Sequence, residues 1–222
     1  NAKKSIPLSK KGIIRDIAFY LLSAIAFSLT ISDEIITRTE GIILMIIYAL
    51  YLIVLFTKRH DKSSLETLEE NNQSLTKITL VSIFGLSAIA FLAWVMIEFG
   101  LNIASSFGMS VAAVSAIFFA FGTSVSDTFI AIAAAKKGNG SGAISSVFGS
   151  NTFDILIGLG LPIAIVGGVP VDVNGVFSSM VMLFLSIIIT VILIARNWDI
   201  SRKEGYILIS SFFLFLGYFL FV

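Results

Sequence analysis

Two stretches of this chain bring together carboxylate, hydroxyl and glycine at helical spacing. The first, Phe121-Gly122-Thr123-Ser124-Val125-Ser126-Asp127, puts Thr123 four residues and Ser124 three residues ahead of Asp127. In a helix those three oxygens share one face. The second, Gly149-Ser150-Asn151-Thr152-Phe153-Asp154, repeats the arrangement with Ser150 and Asn151 ahead of Asp154. Gly122 can loosen its helix and free backbone carbonyls, such as that of Ala120, from their usual amide partners. The donor set is all oxygen, which hard cations select: calcium takes about 6–8 such ligands and sodium accepts fewer of the same kind. Small residues also let membrane helices approach closely, which accounts for Gly122, Ser124, Gly149 and Ser150 but not for two aspartates. The expected chemistry is reversible cation binding by Asp127, Asp154, Thr123, Ser124, Ser150, Asn151 and the Ala120 carbonyl.

The elements that must carry these residues follow from composition. Of 222 residues, 57% are hydrophobic and 13% charged, against about 25% charged in a soluble domain. A soluble enzyme, a disordered chain and a secreted disulfide scaffold are excluded. Apolar runs between charged breaks predict an all-α polytopic membrane protein with about seven spans of roughly 20 residues. They cover residues 13–31, 41–56, 78–103, 110–135, 143–166, 175–195 and 205–222. The absence of cysteine removes thiolate metal sites and a cysteine nucleophile. His60 stands in the run Lys58-Arg59-His60-Asp61-Lys62 and reads as a solvated loop residue. A net charge of +1 gives no sign of a nucleic-acid partner.

An ionisable side chain at membrane depth is costly and functional by default, which singles out Asp127 and Asp154. Glu98, near a span end, reads as reaching for the headgroups. Asp16, Asp33 and Asp172 read as interface residues at span edges, Trp94 as a core aromatic and Trp198 as an interface aromatic. All 15 lysines and arginines except Arg38 fall in the first segment or in the loops after the second, fourth and sixth spans. The positive-inside bias therefore predicts a cytoplasmic N-terminus and an outer C-terminus. The expected organisation is a two-helix segment (1–56), a cytoplasmic linker (57–77) and a five-helix unit (78–222) holding the ion-binding repeat (110–166). The short loop and compact spans lead us to expect a prokaryotic plasma membrane.

The stretch Gly122–Pro162 resembles the second α-repeat of the calcium/cation antiporter superfamily, which includes sodium/calcium exchangers. The family pattern is a G-T-S-x-P-[ED] helix, a short loop with a basic residue and glycine, then G-S-N-x-x-[ND]. It is met here by Gly122-Thr123-Ser124-Val125-Ser126-Asp127, by Lys137-Gly138 and by Gly149-Ser150-Asn151-Thr152-Phe153-Asp154. The resemblance implies calcium binding by Asp127, with Thr123, Ser124, Ser150, Asp154 and the Ala120 carbonyl as neighbouring calcium or sodium ligands. Aspartate at both acidic positions looks more like the potassium-dependent branch. Ser126 stands where the family has proline, so a helix break here would rest on Gly122 and the hydroxyls of Thr123 and Ser124.

The family carries two inverted α-repeats in ten spans, and no second G-T-S or G-S-N run occurs in this chain. Its spans correspond to the family's fourth through tenth, half of an inverted-repeat exchanger fold. With its non-methionine start, the chain is expected to be a fragment of a longer exchanger, or one completed by a second chain carrying the amino-terminal repeat. The expected activity is secondary antiport, extruding calcium against entering sodium, with no cofactor and no enzymatic step. Proton/calcium exchange is the near alternative. A passive cation channel fits less well, since oxygen ligands on such helices suit occlusion better than flow. A membrane aspartyl protease would need a G-x-G-D element, whereas Asp127 follows Val125-Ser126 and Asp154 follows Thr152-Phe153.

Overall fold

A chain lying in hydrocarbon must satisfy its backbone N–H and C=O groups internally, which leaves helices as the economical solution. The computed structural model describes residues 5–57, 75–107 and 111–221 and is built accordingly. Its helices are α1 (Lys10–Thr30), α2 (Arg38–Thr57), α3 (Leu75–Phe107), α4 (Val111–Lys136), α5 (Gly140–Phe153), α6 (Gly160–Val166), α7 (Val173–Asn197) and α8 (Arg202–Phe221). A π-helical segment, Asp154–Leu159, joins α5 to α6 in one continuous rod. Taken with that rod, the helices follow the seven expected spans to within a few residues. Among the described residues, α1, α2, the Thr79–Gly100 part of α3, the α5–α6 rod and α7 are long and apolar enough to cross a membrane. Both α4 and α8 include side chains outside the described residues. The linker, with His60, lies almost wholly outside them.

Helix ends are held by local polar chemistry. Thr37 and Glu40 form a reciprocal capping box at the start of α2: the Thr37 amide donates to Glu40 Oε2 at 2.7 Å, and the Glu40 amide to Thr37 Oγ1 at 3.4 Å. At α8 the Ser201 amide donates to Glu204 Oε2 at 2.6 Å. Asn139 caps α5 through the Gly142 amide, and Asp172 caps α7 through the Asn174 amide. Trp198 closes α7 in the left-handed conformation (φ 54°), with Lys10 Nζ 5.4 Å from its ring centre.

Short strands β1 (Ser5–Pro7), β2 (Ile35–Ile36), β3 (Val169–Pro170) and β4 (Asp199–Ser201) tie the connections together. β1 pairs antiparallel with β4, Ile6 opposite Ile200, and β2 with β3, Ile36 opposite Val169. The first segment and the α7–α8 link therefore share one end. The α1–α2 and α6–α7 links share another, the same alternation that the lysine and arginine distribution requires.

The chain divides into two compact units, Asn1–Phe56 with Ser126–Tyr218, and Thr57–Val125 with Phe219–Val222. In the first, α1 is central and packs most extensively on α5. Ile13, Tyr20 and Ala24 of α1 meet Phe148 of α5 and Ile187 and Ile194 of α7. α2 lies against the far end of the α5–α6 rod at glycines, where a Cβ on Gly41 would come 2.5 Å from the Ala164 nitrogen and 2.8 Å from the Gly160 carbonyl oxygen. In the second unit, Trp94 departs from its expected core position: it is 59% exposed on α3. In a chain whose outer solvent is hydrocarbon, an indole needs no protein core to leave water.

Gly41→Val forces two backbones apart, so thermal unfolding in detergent should show a loss of about 1–3 kcal/mol, the usual cost of overpacking. Gly12→Val, at a glycine with open space around it, is the control that leaves the transition near that of the parent.

Candidate cation site

The turn Lys137–Asn139 reverses the chain between α4 and α5, with Gly138 at φ 80° and its amide donating to the Ala135 carbonyl at 3.0 Å. Asp127, near the middle of α4, is half-buried, and Asp154 opens the π segment and is exposed within the chain. Both belong to the same unit, and each carboxylate lies within range of the other's charge. Tyr20 of α1 lies within range of Asp154 as well.

The π segment matters because its wider turns begin at the residue that carries the carboxylate, whose own amide is still shared between the Ser150 and Asn151 carbonyls, and such segments gather at functional sites. Softening was expected on both helices. On the second it occurs at Asp154; on the first, α4 runs as an unbroken helix through Gly122. Ser126 explains the difference, since unlike proline it keeps its N–H and leaves the helical ladder intact. An intact ladder keeps carbonyls such as that of Ala120 committed to helical amides. Gly122 serves close packing instead: a Cβ there would stand 2.7 Å from Met96 Cε of α3, within the second unit.

Ala120, Thr123 and Ser124 belong to that second unit. Ser124 is exposed, and the side chains of Ala120 and Thr123 lie outside the described residues. On α5, Ser150 Oγ donates to the Val147 carbonyl at 3.1 Å. Asn151 lines a cavity of about 240 Å³ with Tyr20, Ser186, Thr190 and apolar neighbours from α7 and α8. Among the described residues no three or more acidic, histidine or cysteine side chains cluster. The carboxylate pair is thus the densest anionic feature near this site. Glu98 is exposed on α3, and its backbone carbonyl accepts from Asn102 Nδ2 at 2.9 Å.

Asp16 corrects the sequence reading most sharply. Expected at an interface, it is 1% exposed. Arg15 reaches its Oδ1 through Nε at 2.8 Å and Nη2 at 2.7 Å, and the Tyr51 hydroxyl donates to the same atom at 3.4 Å. Oδ2 has no hydrogen-bond partner among the described residues. The adjacent arginine was the available sequence signal, because a neighbouring cation makes burial of a carboxylate affordable. Asp33 is exposed at the α1–α2 link, and Asp172, also exposed, is the α7 cap. Arg38, the one cation apart from the others, donates to the Val166 carbonyl at the end of α6 through Nε (3.4 Å) and Nη2 (3.3 Å). Gly167 (φ 65°) leaves room for that side chain.

A polytopic helical membrane protein with a paired-carboxylate element at a helix distortion is the class that this fold and site define. The chain belongs to the sodium/calcium exchanger protein family, whose model matches residues 77–221. This bears out the antiporter resemblance of Gly122–Pro162. Sodium/potassium/calcium exchanger 2 of Gallus gallus is 32% identical over 153 residues, covering 65% of this chain and 24% of that protein. Sodium/potassium/calcium exchanger 1 of Homo sapiens is 33% identical over 135 residues, covering 58% of this chain and 12% of that one. The chain therefore spans a quarter or less of the length of these curated relatives. In fold it is similar to the H+/Ca2+ exchanger CAX (TM-score 0.65, 18% identity), covering 99% of this chain and 57% of that one. It is also similar to the sodium-calcium exchanger NCX_Mj (TM-score 0.62, 22% identity), covering 95% and 67%.

Ser126→Pro should remove the amide that bonds the Gly122 carbonyl and open α4 there. The expected result is faster hydrogen exchange confined to residues 119–127 and a stability loss of about 3 kcal/mol or more. Unchanged exchange over that stretch would show that the ladder does not depend on residue 126.

Proposed function

We propose that this chain supplies the cation-binding repeat of a secondary antiporter that moves calcium across a membrane against sodium. The observation that carries the reading is the Asp127–Asp154 pair, two carboxylates on helices joined by a short turn, one of them at a π segment. A divalent cation between them removes their mutual repulsion, and sodium ions or protons can do the same in its place. Mutually exclusive occupancy of that kind is what couples one flux to the other. Thr123, Ser124, Ser150 and Asn151 carry the further oxygens along α4 and α5, and the Ala120 carbonyl joins them only where the α4 ladder opens.

Two carboxylates and a few neutral oxygens fall short of the about 6–8 ligands that calcium takes. We therefore assign the remaining ligands to a second, inverted repeat, in a longer polypeptide or in another chain. The relatives named for potassium support a further role for that ion, given aspartate at both acidic positions. The fold neighbour named for H+/Ca2+ exchange keeps proton drive as the alternative, because the same carboxylates can be protonated. Lysine and arginine placement supports a cytoplasmic N-terminal segment, and the compact spans suit a prokaryotic plasma membrane.

Calcium uptake into proteoliposomes under an outward sodium gradient tests this, with the chain alone, with an amino-terminal repeat added, and as Asp127→Asn. Uptake by the parent or by the completed protein should fall by more than about tenfold in Asp127→Asn, since even outer-shell losses cost that much at metal sites. Potassium and proton gradients, applied in turn, identify the driving ion. No uptake by the completed protein under any of the three gradients would sink the antiporter reading.

A further inference from the structure

Asp16 is a long way in sequence from the acidic stretches, yet its contacts lead to one of them. The Tyr51 hydroxyl that donates to Asp16 also faces Gly149, leaving room there for a Cβ, which would stand 3.4 Å from the hydroxyl oxygen. The Tyr51 ring packs on Phe19 of α1, with centres 5.0 Å apart, and on Tyr48 of α2, 5.9 Å apart. Tyr48 in turn meets Phe153 edge-on at 5.5 Å. Gly149 and Phe153 are four residues apart and occupy one face of α5; Ser150 and Asp154 form the adjacent face. The Tyr48 contact on the first face therefore bears on where the second points.

The contact falls where the helix passes from α to π geometry at Asp154, whose amide is shared between the Ser150 and Asn151 carbonyls. Tyr51 is only 5% exposed, and its hydroxyl needs a buried acceptor to stay in place. Asp16 provides it while paying for an oxygen, Oδ2, that has no partner among the described residues. Asp16→Leu would strand the Arg15 guanidinium as well as the Tyr51 hydroxyl, so Tyr51→Phe, which leaves the ion pair in place, isolates the hold.

We propose that Asp16 is a positioning residue for the cation site: by fixing the Tyr51 hydroxyl it holds the Tyr51 ring on Tyr48, which bears on Phe153 and so sets the orientation of Asp154. The proposal rests on the cation-site reading for its consequence but not for its geometry, and two separate measurements on the full chain divide the two. Tyr51→Phe keeps the ring contacts and deletes only the hydroxyl. Asp16→Asn keeps an acceptor oxygen for Tyr51 and serves as the conservative rescue, whereas Asp16→Leu removes it.

The first measurement is hydrogen exchange over residues 149–159. Tyr51→Phe and Asp16→Leu should speed it by about fivefold, the factor for one ordinary hydrogen bond, and Asp16→Asn should leave it near the parent. The second is calcium titration of the same proteins, completed with an amino-terminal repeat, in which the dissociation constant should rise by about the same factor in the same two variants. Unchanged exchange in Tyr51→Phe would overturn the proposal whatever the calcium result. So would faster exchange with unchanged affinity in a parent that binds calcium. Faster exchange in a protein that binds no calcium in any form would leave the hold on α5 established and reject the cation reading of the site instead.

Discussion

Hydrocarbon offers no hydrogen bonds, and that deprivation governs this molecule. Each polar group inside a span must find its partner within the protein or bear a desolvation cost of a few kcal/mol. The hydroxyls show the rule at work. Ser23, Ser28, Thr30, Thr152, Ser186 and Thr190 each donate to a carbonyl three or four residues back in their own helix. Satisfied in this way, they behave as small residues and let α1, α5 and α7 come together. At the helix ends the orphaned amides and carbonyls are taken up by Thr37, Glu40, Asn139, Asp172, Glu204 and Arg38.

Carboxylates obey the same rule under a heavier penalty, and they divide by how it is met. Asp16 has a cation beside it in Arg15 and a hydroxyl above it in Tyr51, so its charge is answered within the fold. Asp127 and Asp154 lie within range of each other's like charge, and no ion pair of theirs appears among the described residues. A charge answered internally holds a structure; a pair left to be answered from outside suits a cargo. The π segment at Asp154 sets the same aspartate apart, since such segments are rare and gather at functional sites.

Glycine works in two distinct ways around these groups. At Gly41, Gly122 and Gly160 it lets helices approach until a Cβ would collide. At Gly138 and Gly167 it takes a positive φ, turning the chain between α4 and α5 or making space for Arg38. Neither use releases a carbonyl, although a glycine within a hydroxyl-rich helix suggests release when read in sequence alone. Only the neighbour, Met96 in the case of Gly122, distinguishes a packing glycine from a hinge.

By itself the sequence determined the number and extent of the helices, their alternation across the membrane and the family. These depend on local apolar content, on charge placement and on two short motifs, all of which are carried by consecutive residues. It also named the carboxylates at membrane depth, since an aspartate in an apolar run is conspicuous wherever the run ends up. Tertiary structure alone decided that Asp16 is buried rather than interfacial, that Tyr51 reaches it from α2, and that the distortion begins at Asp154 while α4 stays whole. Those outcomes depend on which face of one helix meets which face of another. A chain that is apolar on every side has no stripe to announce its inward face, so that choice is made by close packing between residues far apart in sequence.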